Sequence, residues 1–406
     1  MQICCAYYRQ RRRGSLGGIW YNTLVQHATN WLELNLDALQ HNAQVVQRFI
    51  GGGRTLWAVV KADAYGHGAI TVARALLQAG VNHFVVASLD EAIELREALQ
   101  GTPFRILALY PPHSFEEWRT AAEYGIEGVV DSVVGYQQAC AVAQQVGRAL
   151  PVHLELDTGM SRLGLPPEQV EAFAALLCAE APVVWQSVFT HFACADSDLE
   201  LTRAQLQLFL ELVARLRAAG FPSVPLHAAA SAGLLQLPES LLDAVRCGLL
   251  LYGIAPVELR THPLALRLRP VLSWRARVIS VRTIPAGRGV SYGARFRATR
   301  PTRVATLGVG YADGYPIGLT NRAQVALHGQ LVPQIGRVAM DMTMVDATDV
   351  PAVRVGDVAT LIGRDGAAEV RVEMLAQWLD TTPHEITTRL GTRAKAALRL
   401  RVANGL

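Results

Sequence analysis

Short β-branched runs alternate with longer amphipathic segments between Trp31 and about Leu266, and no other feature constrains the fold of this sequence as strongly. The runs that read as strands are residues 55–61, 83–88, 104–110, 127–131, 151–157, 183–192, 224–229 and 244–252. The segments between them have helical spacing, as in the apolar stripe Leu201, Leu206, Phe209, Leu210, Val213 and Leu216. A βα repeat of this length predicts a (β/α)8 TIM barrel over residues 29–266, with its chemistry at the carboxyl ends of the strands.

The pattern changes after about Arg267. Residues 272–278 alternate between apolar and polar side chains, glycine and proline punctuate the sequence, and helical spacing returns only at 369–379. We therefore predict a mostly β C-terminal domain over residues 267–406. Residues 1–28 are rich in arginine but contain no apolar signal region, which predicts a mobile N-terminal extension or translation from an upstream start codon.

Composition narrows the choice of partner. Among the 406 residues, 51% are hydrophobic and the net charge is only +4, with the arginines dispersed beyond the N-terminus, which argues against a nucleic-acid groove. No apolar stretch approaches the roughly 20 residues of a membrane span. The six cysteines have neither metal-ligand spacing nor a paired framework, so we predict free thiols, no metal and a reducing cytoplasm. The expected partner is a small molecule.

Lys61 stands where the apolar run 56–60 gives way to a small, polar loop. A lysine at a buried strand end either extends its ammonium to water or has a lowered pKa and covalent chemistry. The phrase Ala58-Val59-Val60-Lys61-Ala62-Asp63-Ala64-Tyr65-Gly66-His67-Gly68 closely resembles the pyridoxal-phosphate attachment segment of bacterial alanine racemases, and the resemblance recurs as far as Met344. It implies a barrel followed by a β domain, and pyridoxal 5'-phosphate held as a Schiff base on Lys61.

The resemblance also implies the reaction. Members of this family interconvert L-alanine and D-alanine, which supplies D-alanine for peptidoglycan, and they place one base on each face of the α-carbon. The phrase Val290-Ser291-Tyr292-Gly293-Ala294 nominates Tyr292 as the base opposite Lys61. Because the family takes this tyrosine from the partner subunit, the resemblance implies a homodimer with shared active sites.

The cofactor-binding residues follow from the same resemblance. Arg246 corresponds to an arginine that faces the pyridine nitrogen; since a guanidinium keeps its proton, the ring stays a weaker electron sink, which limits transamination and decarboxylation. His191 corresponds to a histidine between the ring environment and the catalytic tyrosine. The phosphate ligands are implied to be Tyr65, Ser231, Gly248 and Leu249.

On the substrate side, Arg162 corresponds to an arginine near the substrate carboxylate. Met340, followed by Asp341 as a supporting residue, corresponds to the residue whose backbone amide binds that carboxylate from the neighbouring subunit. Many alanine racemases have a carbamylated lysine where this chain has Glu155. We hypothesise that Glu155 supplies the negative charge directly and orients Arg162.

Two departures bear on specificity. Thr392 falls where a tyrosine often narrows the entrance, and Ala339 replaces a more common cysteine, so we predict some activity on serine or another small amino acid. The alternatives to a strict alanine racemase are a broader alanine and serine racemase, a pyridoxal-phosphate-dependent decarboxylase and a pyridoxal-phosphate carrier protein. Such carriers lack the β domain, and the decarboxylases usually place an acidic residue where this chain has Arg246.

Overall fold

The structure is a computed structural model that describes residues 28–177, 182–390 and 399–401. Thr392 and all but the last residue of the predicted N-terminal extension lie outside the described residues. The described chain forms two compact units. One contains the segment up to Leu34, Leu272–Arg371 and the strand Arg399–Arg401; the other contains Asn35–Val271 and Val372–Arg389. The contiguous boundaries 29–266 and 267–406 stay a prediction.

The described chain begins with strand β1 (Asn30–Asn35) and helix α1 (Leu36–Ile50). Eight parallel strands of the described residues then make the barrel unit. They are β2 Thr55–Val59, β3 His83–Val86, β4 Arg105–Ala108, β5 Gly128–Val130, β6 Leu150–Glu155, β7 Val183–Phe189, β8 Leu226–His227 and β9 Ala244–Cys247.

The barrel is nearly closed. The strands are ordered β4-β3-β2-β9-β8-β7-β6-β5, and a parallel bridge between Leu107 and Glu127 joins the two edge strands. Ala108 N donates to Glu127 O at 3.1 Å, and Glu127 N donates to Ile106 O at 2.9 Å. The predicted barrel is confirmed.

Helices follow the strands around this unit. They are α2 Lys61–Gly66, α3 Ala69–Gln78, α4 Leu89–Ala98, α5 Phe115–Tyr124, α6 Val133–Val146, α7 Val170–Ala174, α8 Leu199–Ala218 and α9 Ser231–Gln236, with α10 Val372–Leu379 and α11 Pro383–Thr388 at the end. Several begin at a side chain that accepts a backbone N–H of the first turn: Ser88, Ser114, Ser132 and Asp198. No helix of the described residues is both long and apolar enough to span a membrane.

Apolar burial fixes which way these helices face. In α8, Leu206, Phe209 and Val213 are buried in the cluster that also holds the residues of β6 and β7 that face the helices, such as Leu154 and Val188. Leu201 and Leu210 of the predicted stripe are exposed instead, because a helix that covers a barrel buries only one face.

The predicted strand 244–252 is too long. β9 ends at Cys247, and residues Leu249–Tyr252 form a 3₁₀ helix that is fully buried. A short apolar run without polar residues has no period that separates a strand from a buried helical turn. The turn matters because its first residues face the candidate site.

The second unit is mostly antiparallel β structure. Its strands are β10 Leu272–Ile284, β11 Gly289–Val290, β12 Phe296–Arg297, β13 Thr302–Leu307, β14 Gln324–Leu327, β15 Gln330–Pro333, β16 Thr343–Asp346, β17 Val358–Asp365, β18 Ala368–Val370 and β19 Arg399–Arg401. The long strand β10 pairs with β1, β13 and β17, so it organises the sheet. The β11–β12 hairpin stands apart from that sheet, and the loop that connects its two strands carries Tyr292.

Candidate active site

Lys61 lies just after β2, at the carboxyl end of the barrel strands. Burial lowers the pKa of its amine, and the positive charges of Arg162 and Arg246 lower it further, against the opposing effect of Glu91. A lowered pKa makes the neutral, nucleophilic amine more available near neutral pH. The lysine therefore has the electrostatic environment of a covalent catalyst.

The backbone after Lys61 winds the wrong way for L-amino acids. Residues 62–65 all have φ between 51° and 55°, a left-handed turn that costs roughly 1–2 kcal/mol per residue. The carboxylate of Glu91 holds it: Oε1 accepts from Ala62 N at 2.7 Å and Oε2 accepts from Ala87 N at 2.7 Å. Gly68 N closes the turn on Asp63 O at 2.9 Å. This strained segment turns the chain at the strand end and buries the side chain of Tyr65.

Tyr65, Ser231 and Gly248 form a polar cradle. Ser231 Oγ accepts from Gly248 N at 3.3 Å, and Leu249 begins the following 3₁₀ helix. A Cβ on Gly248 would come within 2.5 Å of Tyr65 Oη, so only glycine allows this approach. Burial raises the pKa of Tyr65, which keeps its hydroxyl protonated as a donor. Hydroxyls and backbone amides in this arrangement suit a phosphate.

Arg246, on β9, is buried and held by acceptors on both terminal nitrogens. Nη2 donates to Thr190 O at 2.7 Å and lies 3.2 Å from His191 Nδ1, while Nη1 lies 2.6 Å from His227 Nδ1. Burial lowers the pKa of Arg246 to about 10, against the opposing charge of Glu155, so it stays protonated at neutral pH.

His191 meets that guanidinium as a neutral ring. Burial first, and then the positive charges of Arg246, Arg162 and Lys61, lower the pKa of His191 to about 3. An uncharged imidazole can accept from Arg246, whereas an imidazolium would repel it. The fixed positive charge at this end of the barrel is therefore the arginine.

Arg162 stands on an ordered loop after β6. Asp157 Oδ1 accepts from Gly159 N at 2.9 Å and from Ser161 N at 3.0 Å, which shapes the loop and leaves Arg162 exposed. Glu155, the last residue of β6, is buried. In the described chain neither a hydrogen bond nor an ion pair joins Glu155 to Arg162, although the charge of Arg162 does act on the Glu155 carboxyl.

These side chains share one cavity of about 810 Å³ in the barrel unit. The predicted residues among its walls are Lys61, Tyr65, Glu155, Arg162, His191, Ser231, Arg246, Gly248 and Leu249. The sequence interpretation missed His384, which also lines the cavity and whose ring lies 5.6 Å from that of Tyr65. His384 lies outside the barrel repeat, and the family resemblance places Thr392, not His384, at the entrance.

The remaining predicted residues lie in the β unit, on two joined loops. Tyr292 is 70% exposed and Met340 is 53% exposed, with Asp341 exposed beside it. Ser291 Oγ donates to Arg337 O at 2.6 Å, which ties the two loops together. Ser291 itself has φ of 61°, a strained conformation just before the candidate base.

Comparison with known proteins identifies the family. Residues 34–256 match the family described as alanine racemase, N-terminal domain, and residues 271–398 match alanine racemase, C-terminal domain. The chain belongs to the alanine racemase family. The resemblance drawn from the sequence is thereby confirmed. The alanine racemase of Nostoc sp. is 39% identical over 362 residues, which cover 88% of this chain and 92% of that protein.

Solved alanine racemase structures share the fold. The enzyme from D-cycloserine-producing Streptomyces lavendulae superposes with a TM-score of 0.86 at 35% identity, covering 93% of this chain and 98% of that one. The enzyme from Bartonella henselae, with covalently bound pyridoxal phosphate, has a TM-score of 0.83 at 31% identity and covers 92% and 100% of the two chains. The match therefore includes both the barrel and the mostly β unit.

Proposed function

We propose that this member of the alanine racemase family interconverts L-alanine and D-alanine with pyridoxal 5'-phosphate as its cofactor. The observation that carries the proposal is one barrel cavity in which an amine of lowered pKa, a protonated arginine and a hydroxyl-and-amide cradle face the same space. The family membership gives this arrangement its substrate. A non-catalytic carrier is disfavoured by the mostly β unit.

The residues present fit the cofactor. The cradle at Gly248 has no room for a side chain, as expected where a phosphate must approach backbone amides closely. Tyr65, Ser231, Gly248 and Leu249 would hold the phosphate, and the amine of Lys61 would hold the cofactor covalently. When bound, the cofactor supplies an electron-withdrawing ring that makes the α-hydrogen of the amino acid acidic.

Two bases then exchange that hydrogen. Once the amino group of the substrate has replaced it on the cofactor, the freed amine of Lys61 would take or return the proton on one face of the α-carbon, and Tyr292 of the partner subunit would do so on the other. Its phenol stands on an exposed loop of the β unit, where a second subunit can be reached. The enzyme is therefore a homodimer, and an isolated subunit is inactive.

The other residues orient the cofactor and the substrate and limit side reactions. Arg246 would present a permanently protonated guanidinium to the ring nitrogen of the cofactor, which would leave that nitrogen without a proton and limit side reactions such as decarboxylation. Arg162 and the backbone amide of the partner subunit's Met340 bind the substrate carboxylate, with the partner subunit's Asp341 supporting the loop. Glu155 supplies the negative charge behind Arg162. The enzyme works in the cytoplasm and supplies D-alanine for peptidoglycan.

Because the chain has few lysines, the residue that carries the cofactor can be assigned directly. The sequence contains only two lysines, Lys61 and Lys395. Borohydride reduction of the holoenzyme followed by peptide mapping should place the cofactor on Lys61, and Lys395→Arg should leave both the label and the activity unchanged. The same holoenzyme should exchange the α-hydrogen of both alanine enantiomers with solvent deuterium. A label on Lys395, or exchange of neither enantiomer, would refute the proposal.

The same exchange assay measures which other amino acids the enzyme accepts. Ala339 is buried and small, and we expect measurable but slower exchange with serine. Kinetics on both enantiomers of serine check this, and undetectable serine turnover would contradict it.

A further inference from the structure

A continuous series of hydrogen bonds crosses the barrel interior below Arg246. Nη1 of Arg246 lies 2.6 Å from His227 Nδ1, and His227 Nε2 lies 2.7 Å from Ser187 Oγ. Ser187 Oγ lies 2.6 Å from His153 Nδ1, and His153 Nε2 lies 2.7 Å from Glu127 Oε2. All five side chains are buried. We call this set, together with Arg105, the barrel network.

The far end of the network is anchored by Arg105, at the start of β4. Its Nε and Nη2 bind the two oxygens of Glu127 at 2.6 Å each, and Nη2 also donates to Gln186 at 2.6 Å. Although burial raises the pKa of Glu127, the hydrogen bonds from His153 and Arg105 bring it down to about 2. Glu127 is therefore a carboxylate at any pH at which the enzyme works.

The donors and acceptors permit only one direction through the network. A guanidinium can only donate, so His227 Nδ1 must accept from Arg246 and Nε2–H must donate to Ser187. The carboxylate of Glu127 can only accept, so His153 Nε2–H donates to it, and His153 Nδ1 accepts the hydroxyl proton of Ser187. Both rings are neutral in this scheme, in agreement with their burial, which lowers the pKa of each.

We infer that Glu127, His153 and Ser187 are positioning residues for Arg246, acting through the tautomer of His227. The negative charge at the amino end of the barrel fixes each proton in turn, so that a lone pair of His227 always faces the guanidinium. With the opposite tautomer an N–H group would face Arg246 at 2.6 Å and would displace it. The inference rests on the proposed function only for its kinetic consequence.

Glu127→Gln makes the inference testable, because it replaces a group that can only accept by an amide that can also donate. Oε2 of Glu127 accepts from both His153 and Arg105, so the amide can present either its oxygen or its NH₂ group to His153 Nε2. When the NH₂ group faces His153, the ring carries its proton on Nδ1 and donates to Ser187, Ser187 donates to His227 Nε2, and His227 Nδ1–H faces Arg246. Neutron diffraction from deuterium-exchanged holoenzyme crystals locates these protons without any substrate.

The expected result is deuterium on Nε2 alone of both rings in the wild type, and deuterium divided between Nε2 and Nδ1 of both rings in Glu127→Gln. The turnover number should fall about tenfold or more, with a much smaller change in KM. Glu33→Gln is the matched control, since Glu33 is a buried partner of Arg275 in the β unit. It should leave both tautomers unchanged. A wild-type His227 with deuterium on Nδ1, or unchanged tautomers in Glu127→Gln, would overturn the inference.

A second pair of variants covers the case in which Glu127→Gln does not fold. Ser187→Ala removes the central hydroxyl and should lower the turnover number about tenfold, while Ser187→Thr restores it. Ser240→Ala is the control, because Ser240 is an equally buried serine that donates to Leu237 O at 2.7 Å outside the network. Equal losses in Ser187→Ala and Ser240→Ala would refute the inference. If the wild type has the expected tautomers but does not racemise alanine, the proposed function fails and the network stands.

Discussion

Replacing Glu155 with glutamine should stabilise the protein and slow it, and both effects should grow with pH. Burial raises the pKa of Glu155 to about 7 from an ordinary value of 4.5, against the opposing charges of Arg246 and Arg162. At about 1.4 kcal/mol per pKa unit, holding this carboxylate ionised in the folded protein costs up to about 3 kcal/mol. Glutamine has nearly the same shape and carries no charge, so Glu155→Gln removes that cost.

The sign of the pH effect on stability follows from which state, folded or unfolded, binds the proton of Glu155 more tightly. The folded state binds the Glu155 proton more strongly than the unfolded state, so the wild type loses stability as pH rises from 4.5 to about 7 and loses no more above it. Glu155→Gln does not titrate. The difference in unfolding temperature between variant and wild type should therefore widen between pH 5 and pH 7 and stay constant above, reaching several degrees for a difference of about 3 kcal/mol.

Turnover should change in the direction opposite to stability: the variant should be slower than the wild type. Above pH 7 the wild type has an ionised carboxylate whose charge acts on Arg162, and the variant does not, so we expect the variant to be about tenfold slower there. Below pH 7 the wild-type carboxyl is itself protonated, and the two rates should converge. Thermal unfolding and alanine racemisation over the same pH series test both effects, with Glu168→Gln on the exposed surface as the control for replacing an acid by an amide. If the differences in unfolding temperature and in turnover did not depend on pH, the carboxyl of Glu155 would not have the raised pKa on which this prediction rests.

Three further predictions concern individual contacts. Gly248→Ala should weaken pyridoxal-phosphate binding roughly tenfold or more, because the new Cβ would come within 2.5 Å of Tyr65 Oη, and equilibrium dialysis of the cofactor measures this. Glu91→Ala removes the carboxylate that accepts from Ala62 N in the turn after Lys61 and from Ala87 N, so unfolding should become easier by roughly 3 kcal/mol and turnover should fall, as followed by urea denaturation and steady-state kinetics. Tyr292→Phe should slow α-hydrogen exchange of one alanine enantiomer by roughly a hundredfold while sparing the other; deuterium exchange followed by NMR would contradict the two-base scheme if both slowed equally.

The sequence predicts the barrel well because its repeat is a property of the whole segment. Each strand lies where the β-branched runs indicate, and errors are confined to ends such as Gly248, where the strand stops although the apolar residues continue. Strand propensity does not predict where such a strand ends, because the buried turn that follows is as hydrophobic as the strand.

Local conformation at the site is much less predictable. Nothing about alanine favours the left-handed region, yet Ala62 and Ala64 adopt it because Glu91, far along the chain, holds the turn. His384 was missed for a related reason: its helix is outside the barrel repeat, and only the fold places its ring next to Tyr65. Tertiary contacts outweigh local preference at both places.

The barrel network shows most clearly that tertiary contacts cannot be predicted from local sequence. Its members come from consecutive strands or strand ends between β4 and β9, and they are separated by long stretches of sequence, so only closure of the sheet brings them together. Interiors of such barrels are usually filled with branched apolar side chains, and a buried polar group without a partner costs roughly 1–3 kcal/mol. A polar series through this interior is therefore stable only if every donor finds its acceptor, and the orientation of each proton then depends on all the others. This dependence is why one neutralised carboxylate at Glu127 should be felt at Arg246, on the opposite side of the barrel interior.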